Sequence, residues 1–466
     1  MPSCPKNPAA CCGVFYCLAA AGDTFGDERR AACCYNARMP IQTLAFVPDL
    51  AALAAATPAA FPALLQSSGA QGWDILFALP DARRVYTHAE QAAFLADLDQ
   101  LPVHAGASDT LPFLGGWLVY AGYELLEVFE PSVAARDEVG FPAAALIRCP
   151  AAVLVDRATQ AACLVAETDE QLVQLATLVA AGATWQAQPL VVAQVDEDDA
   201  QAFLDGVQRC KQYIVAGDVF QVNLSRGWRV QLAQGSPHDL YGRLRTANPA
   251  PFSALLDLGA QQIVSSSPER LVRVAGGVAE TRPIAGTHPR GATPAEDEAL
   301  KQKLIGTVKE RAEHIMLVDL ERNDLGRIAV PGSVEVDELM AVASYAYVHH
   351  IESNIRARLQ PGTTVRQVLR ALFPGGTITG CPKVRCMQII RELEDAPRAA
   401  YTGSLGYVGI DGRMDFNILI RTFMQQNNQL YFRAGAGIVA DSDPERELQE
   451  TRHKARGLLR ALGVAG

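Results

Sequence analysis

Two pairs of glutamates carry the sharpest chemical signal in this sequence. Glu447 and Glu450 stand three residues apart, and so do Glu310 and Glu313. On a helix that spacing puts both carboxylates of a pair on one face, where they repel by about a few tenths of a kcal/mol unless a cation lies between them. Four hard oxygen donors on two helices suit Mg²⁺ better than zinc. The plain alternatives are an i,i+4 ion pair of Glu450 with Lys454, leaving Glu447 to water, and a solvated face for Glu310 and Glu313 beside Lys309 and Arg311.

The elements that must position these groups have local signatures. Leu430 to Phe432 reads as a strand, and Gly435 and Gly437 let the backbone approach a bound anion. Asp443-Pro444-Glu445 then opens a helix expected to run to about Leu462, with Gly463 as its stop. Glu310 and Glu313 fall in what reads as one long amphipathic helix between Ala295 and Asn323. The stretch Thr281 to Gly291 holds two prolines and two glycines and reads as a rigid loop. Phe373 to Arg385 is a glycine loop with Pro382 at a helix start, where free backbone amides suit a carboxylate. His349 and His350 are adjacent, so on a strand at most one of them lines any given site, and a buried, hydrogen-bonded histidine is the simpler reading. The sequence lacks GxxxxGK[ST], GxSxG and GxGxxG after a strand, which removes the P-loop, serine hydrolase and dinucleotide-binding readings; nor is there a Cys-His-Glu glutaminase arrangement.

Residues 39 to about 190 carry short apolar runs divided by turn residues, including Leu64-Leu65, Trp73 to Ala78, Phe113 to Tyr120, Ala145 to Arg148, Ala152 to Val155 and Ala162 to Ala166. They read as strands of a mainly antiparallel sheet, with helices at Leu50 to Ala56 and Asp169 to Ala181 and a linker at Gly182 to Pro189. Beyond it, residues 191–466 open with a helix at about Asp198 to Val215, and strands and helices then alternate. The 466 residues suffice for two or three domains or one large interwoven one. A formal net charge of −10 without basic blocks argues against nucleic acid and anionic membranes as partners, and a small anionic substrate would need local positive charge. No run of 18 apolar residues occurs, so the expectation is a cytoplasmic protein. Six of the eleven cysteines fall within the first 34 residues without metal-site spacing, and residues 1–38 are expected to be a disordered, non-native extension.

From about Glu197 to Leu462 the chain resembles the chorismate-utilising enzymes, the family of anthranilate synthase component I, aminodeoxychorismate synthase component I, isochorismate synthases and salicylate synthases. The resemblance rests on Arg282 to Thr287, Glu310 to Arg327, Phe373 to Arg385, Gly403 to Tyr407, Ile418 to Thr422 and Ala434 to Glu450, in that order, with a weaker match over residues 60 to 165. Phe373 to Gly380, Val348 to Ile351, Pro251 to Ala254, Trp73 to Pro80 and Gly115 to Tyr123 are most similar to the aminodeoxychorismate-forming members. Ala285 stands where some of those carry a lysine and where anthranilate synthases carry alanine.

The resemblance implies an α+β fold, an antiparallel β-sheet sandwich with outer helices. It implies amination of chorismate by ammonia from a separate glutamine amidotransferase subunit, with anthranilate synthesis as the alternative outcome. Glu310, Glu313, Glu447 and Glu450 match its Mg²⁺ carboxylates. Glu269 matches a catalytic acid or base, His350 a histidine near the leaving hydroxyl, and Lys454 a lysine near metal and substrate. Thr377, Tyr401, Arg421 and Gly437 match substrate contacts. Leu64-Leu65-Gln66-Ser67 stands where tryptophan-inhibited anthranilate synthases carry Leu-Leu-Glu-Ser, so Ser67 with Pro251, Phe252 and Ser253 marks a tryptophan pocket without its glutamate.

Overall fold

Alternation along single strands determines the layering. In the strand Trp73–Ala78, Ile75 and Phe77 enter a core between two sheets, while Leu76 and Ala78 join a second core beneath helices. Gly116–Ala121 does the same in the other sheet: Leu118 and Tyr120 face inward, Val119 and Ala121 outward. Such strands are buried on both faces, which is why they read as continuous apolar runs. The computed structural model describes residues 39–101, 111–133, 140–345 and 348–464. The expectation for residues 1–38 lies outside them.

Two antiparallel sheets form the sandwich. The first runs Ile41–Leu44, Ala161–Ala166, Ala151–Asp156, Trp73–Ala78, Ala63–Gln66, Phe252–Asp257, Gln261–Ser267, Thr422–Gln426, Gln429–Ile438, Gln221–Gln234 and Gly380–Cys381, with Val191–Glu197 also on Gln221–Gln234. The second runs Ile284–Pro289, Val348–Arg358, Val278–Thr281, Arg270–Ala275, Met414–Asn417, Ser404–Gly409, Gly116–Ala121, Ala144–Cys149 and Ala82–Tyr86, with Glu335–Ser344 on Val348–Arg358. In each sheet the strands from before residue 190 form one block and those from after it another, joined where Ala63–Gln66 pairs with Phe252–Asp257 and where Gly116–Ala121 pairs with Ser404–Gly409. Helices cover the outer faces through Leu175, Leu240 and Leu458 on one side and Phe94, Val318 and Leu369 on the other. The expected fold class is therefore the observed one. Among the described residues no helix is long and apolar enough to cross a membrane.

The carboxyl-terminal helix, Pro444–Leu462, has the caps its sequence demands: the Asp443 carboxylate accepts from the Arg446 amide, and Gly463 takes the left-handed conformation at φ 77°. The expected single helix over Ala295 to Asn323 is instead two, Pro294–Gly306 and Val308–Gly326. Thr307 between them is extended (φ −75°, ψ 113°), and its hydroxyl donates to the Lys303 carbonyl. A glycine followed by a β-branched residue that bonds back to the preceding turn is a weak point in any helix. The break puts Glu310 in the first turn of the second helix, where the helix dipole favours a carboxylate.

A buried ionic knot ties this frame together. Glu394, Arg398 and Arg433 are each no more than 4% exposed. Arg398 grips Glu394 through Nη2 at 2.7 Å and Nε at 3.0 Å, Arg433 Nη2 reaches it at 3.0 Å, and the Ser225 amide and hydroxyl donate to it at 2.8 Å. Arg398 also donates to the carbonyls of Asn223 and Ile378. Removing one member of such a group strands the others' charge in a low dielectric. Glu394→Gln is expected to destabilise the chain by about 3–5 kcal/mol, read as the shift in a denaturant unfolding midpoint; a change below about 1 kcal/mol would contradict this account.

Candidate functional site

A cavity of about 600 Å³ opens between the helix Val308–Gly326, the carboxyl-terminal helix, the bulge at Gly286 and the strand Val348–Arg358. Glu310 and Glu313 line it from the first helix, and Glu447 and Glu450 from the other. Ala285, His350, Thr377, Arg421, Gly437 and Lys454 line it too. Residues spread over 170 positions of sequence thus meet around one space.

Among the described residues no three His, Cys, Asp or Glu side chains are gathered at metal-holding distance. Glu450 instead meets Lys454 Nζ at 2.7 Å, and Lys454 also donates to the Gly435 carbonyl at 2.9 Å. The i,i+4 pair therefore exists, and Glu450 and Lys454 still line the cavity. The donor set fits Mg²⁺, which takes oxygen ligands, keeps several waters and needs only one or two carboxylates plus substrate oxygens.

Gly286 explains how the cavity floor is made. It is the extra residue between the pairs Ala285–Ile351 and Thr287–His350, a β-bulge with φ at +68°. A Cβ there would lie 2.8 Å from Glu310 Oε2, so both conformation and space require glycine. Its carbonyl lies 3.3 Å from His350 Nδ1. A carbonyl only accepts, so Nδ1 carries the proton and Nε2 is the basic nitrogen. Burial, helped by the Arg421 charge, lowers the His350 pKa to about 4, so the ring is neutral at physiological pH.

Glu269 moves in the opposite direction. It is 5% exposed, and burial raises its pKa from 4.5 to about 8, with Glu321 and Glu352 adding repulsion. Its Oε1 has no hydrogen-bond partner among the described residues. The Thr377 hydroxyl is near enough to favour the charged form yet makes no well-formed hydrogen bond. Arg421 holds a left-handed backbone (φ 51°) and lines the cavity; burial lowers its pKa and the Glu269 charge opposes this.

Not every expected contact reaches the cavity. Tyr401 is buried behind the strand Gln429–Ile438, its hydroxyl 2.8 Å from where a Gly435 Cβ would be, with Arg398 over its ring. Glu269 lies behind Pro268, which does line the wall. His349 points away, bonded to Asp297 at 2.9 Å and Ser344 at 2.8 Å. Conversely Gln221 and Asn223 line the cavity, with Gln221 Oε1 and Asn223 Oδ1 buried and unpartnered among the described residues. Sequence reasoning passed over them; the signal was their i,i+2 spacing, which puts both on one face of a strand. Ser67, Pro251, Phe252 and Ser253 line a second cavity of about 1060 Å³, and Pro251 borders both spaces. Gln66 there donates to Asp74 at 3.1 Å and accepts from Tyr241 at 2.8 Å.

Comparison with known proteins bears on what this arrangement does. A family profile described as chorismate binding enzyme matches residues 57–460. An anthranilate synthase component I-like protein of Synechocystis sp. is 45% identical over 359 residues, covering 76% of this chain and 73% of its own. Aminodeoxychorismate synthase component 1 of Salmonella typhimurium is 41% identical over 376 residues, covering 78% and 80%. The crystal structure of anthranilate synthase component I from Streptococcus pneumoniae superposes with a TM-score of 0.75 at 32% identity, over 84% of this chain and 93% of that one. The menaquinone-specific isochorismate synthase of Escherichia coli, at 20% identity and a TM-score of 0.71 over 91% of this chain and 94% of that one, shares the fold.

The raised pKa of Glu269 has a measurable consequence for stability. A carboxyl that holds its proton more tightly when folded costs nothing below the ordinary 4.5, and its cost grows until the pH passes about 8. Glu269→Gln removes that cost. The variant's melting temperature, relative to the parent chain, is expected to rise between pH 5 and about pH 8 and to level off above it, on a scale of about a few degrees. A difference that does not vary with pH would show that Glu269 ionises normally.

Proposed function

The chain belongs to the family of chorismate binding enzymes, and from that premise we propose that it is an aminodeoxychorismate synthase component I, replacing the 4-hydroxyl of chorismate by ammonia. The relatives that cover most of the chain are named for both aminodeoxychorismate and anthranilate synthesis. The observation that carries the reading is the convergence of four carboxylates, Arg421 and neutral His350 on one cavity of about 600 Å³, which suits a small dianion held with a divalent cation. The stretches Phe373 to Gly380 and Val348 to Ile351 favour the aminodeoxychorismate outcome. Ammonia would come from a separate glutamine amidotransferase subunit, and free ammonia would also support turnover.

Glu310, Glu313, Glu447 and Glu450 would hold Mg²⁺. When bound, the cation supplies Lewis-acid assistance to loss of the hydroxyl and a hold on the ring carboxylate. Arg421 offers its planar fork to the second carboxylate, with Thr377, Gly437 and the amides of Gln221 and Asn223 as further polar contacts. Glu269, behind the wall, keeps its proton at neutral pH and passes it towards the departing oxygen by way of the Thr377 hydroxyl, which lines the cavity; neutral His350 accepts a proton from the incoming nitrogen through Nε2. The net change breaks one C–O bond and forms one C–N bond, with water leaving. Ala285 offers no nucleophile, so one ammonia adds at C2 as the 4-hydroxyl leaves as water, and a second ammonia then bonds to C4 as the C2–N bond breaks and the first ammonia is released.

Incubation with chorismate, Mg²⁺ and an ammonium salt is expected to yield a product that becomes p-aminobenzoate only after a lyase is added. Fluorescent anthranilate without that lyase would transfer the assignment to anthranilate synthase. Intact mass after quenching should equal that of the unmodified chain, and an adduct of ring mass on a lysine would overturn direct addition. In the second cavity Gln66 stands in place of a glutamate and its amide is already engaged, so tryptophan, if bound there, is a structural ligand. Micromolar tryptophan should leave the initial rate unchanged; a steep fall would favour the anthranilate reading.

A further inference from the structure

Lys454 is held from two sides. Its Nζ is 2.7 Å from Glu450 Oε1, one turn back on the same helix, and 2.9 Å from the carbonyl of Gly435 on the neighbouring strand. A surface i,i+4 pair swept by solvent has no second anchor of this kind. Glu447, Glu450 and Lys454 follow one another at i, i+3 and i+7, a single helix face, and all three line the cavity. The permanent cations among its described lining residues are Arg421, Lys454 and Arg460, against four glutamates. Lys454 pairs with one of those glutamates, Glu450.

We propose that Lys454 is a built-in counter-ion of the carboxylate site, which a divalent cation displaces from Glu450 and thereby frees to hold the anionic substrate. This rests on the magnesium reading of the four glutamates. A magnesium ion binds a carboxylate oxygen at about 2.0–2.1 Å. With Nζ 2.7 Å from the same oxygen, ammonium and metal would be no more than about 5 Å apart, two like charges on one acceptor. Lys454 therefore gives up Glu450 when the metal arrives and keeps the Gly435 carbonyl. An ammonium has three donors, so two then remain for a substrate carboxylate. Ion and substrate become coupled through one side chain, and each tightens the other.

The test is calorimetric titration of the full chain with Mn²⁺ or Mg²⁺ alone, without substrate. Lys454→Met keeps the aliphatic length and is expected to bind the ion about three- to fivefold more tightly than the parent chain, the scale of a half-exposed ion pair removed from competition. Lys454→Arg keeps the charge and should bind like the parent. Equal or weaker binding by Lys454→Met, or equal tightening in both variants, overturns the counter-ion role while leaving the metal site intact. Ion binding by none of the three proteins overturns it together with the magnesium reading.

Discussion

The two buried guanidiniums on Glu394 are the constraint from which the site follows. Arg398 and Arg433 reach the carboxylate from the loop after the helix Lys383–Leu393 and from the strand Gln429–Ile438, and Ser225 meets it from Gln221–Gln234. Arg398 also holds the Ile378 carbonyl, next to Thr377, and the Asn223 carbonyl. Thr377, Asn223 and Gly437 are thus brought to the cavity by a cluster that never touches it. Such a cluster adds little stability over an apolar one, but its directional bonds fix register and loop position.

Desolvation then sets the protonation states. The same low dielectric that raises Glu269 to about 8 lowers His350 to about 4, because burial disfavours whichever form is charged. An acid and a base both become neutral near pH 7, so one is able to give a proton and the other to take one. The carboxylates on the two helices are more exposed than either.

The helix Val308–Gly326 shows how one acidic stretch divides its work. Glu310 and Glu313, near its start, line the cavity. Three turns on, Glu321 accepts from the Thr281 hydroxyl and the Gly376 amide, and Asp324 pairs with Lys383. The first set lines the cavity, while the second fastens the helix to the loops that complete the wall. Nothing in their residue types separates the two sets.

What the chain determines by itself is whatever depends on near neighbours. Trp73–Ala78, the caps at Asp443 and Gly463 and the i,i+3 spacing of both glutamate pairs were legible because side-chain period and capping are local. The helix break at Thr307 was local too, and a Gly-Thr pair inside an otherwise periodic stretch was outweighed by that periodicity. Partners far apart in sequence were not legible: Ser225 and Glu394 are separated by 169 positions, and a buried glutamate carries no mark of which arginine it will meet. The same holds for the orphan amide oxygens of Gln221 and Asn223, for Tyr401 lying behind the wall and for Lys454 anchored on Gly435. Spacing specifies the face on which a side chain stands; only the packing of one sheet and helix against another decides what stands opposite, and the burial that follows decides its charge.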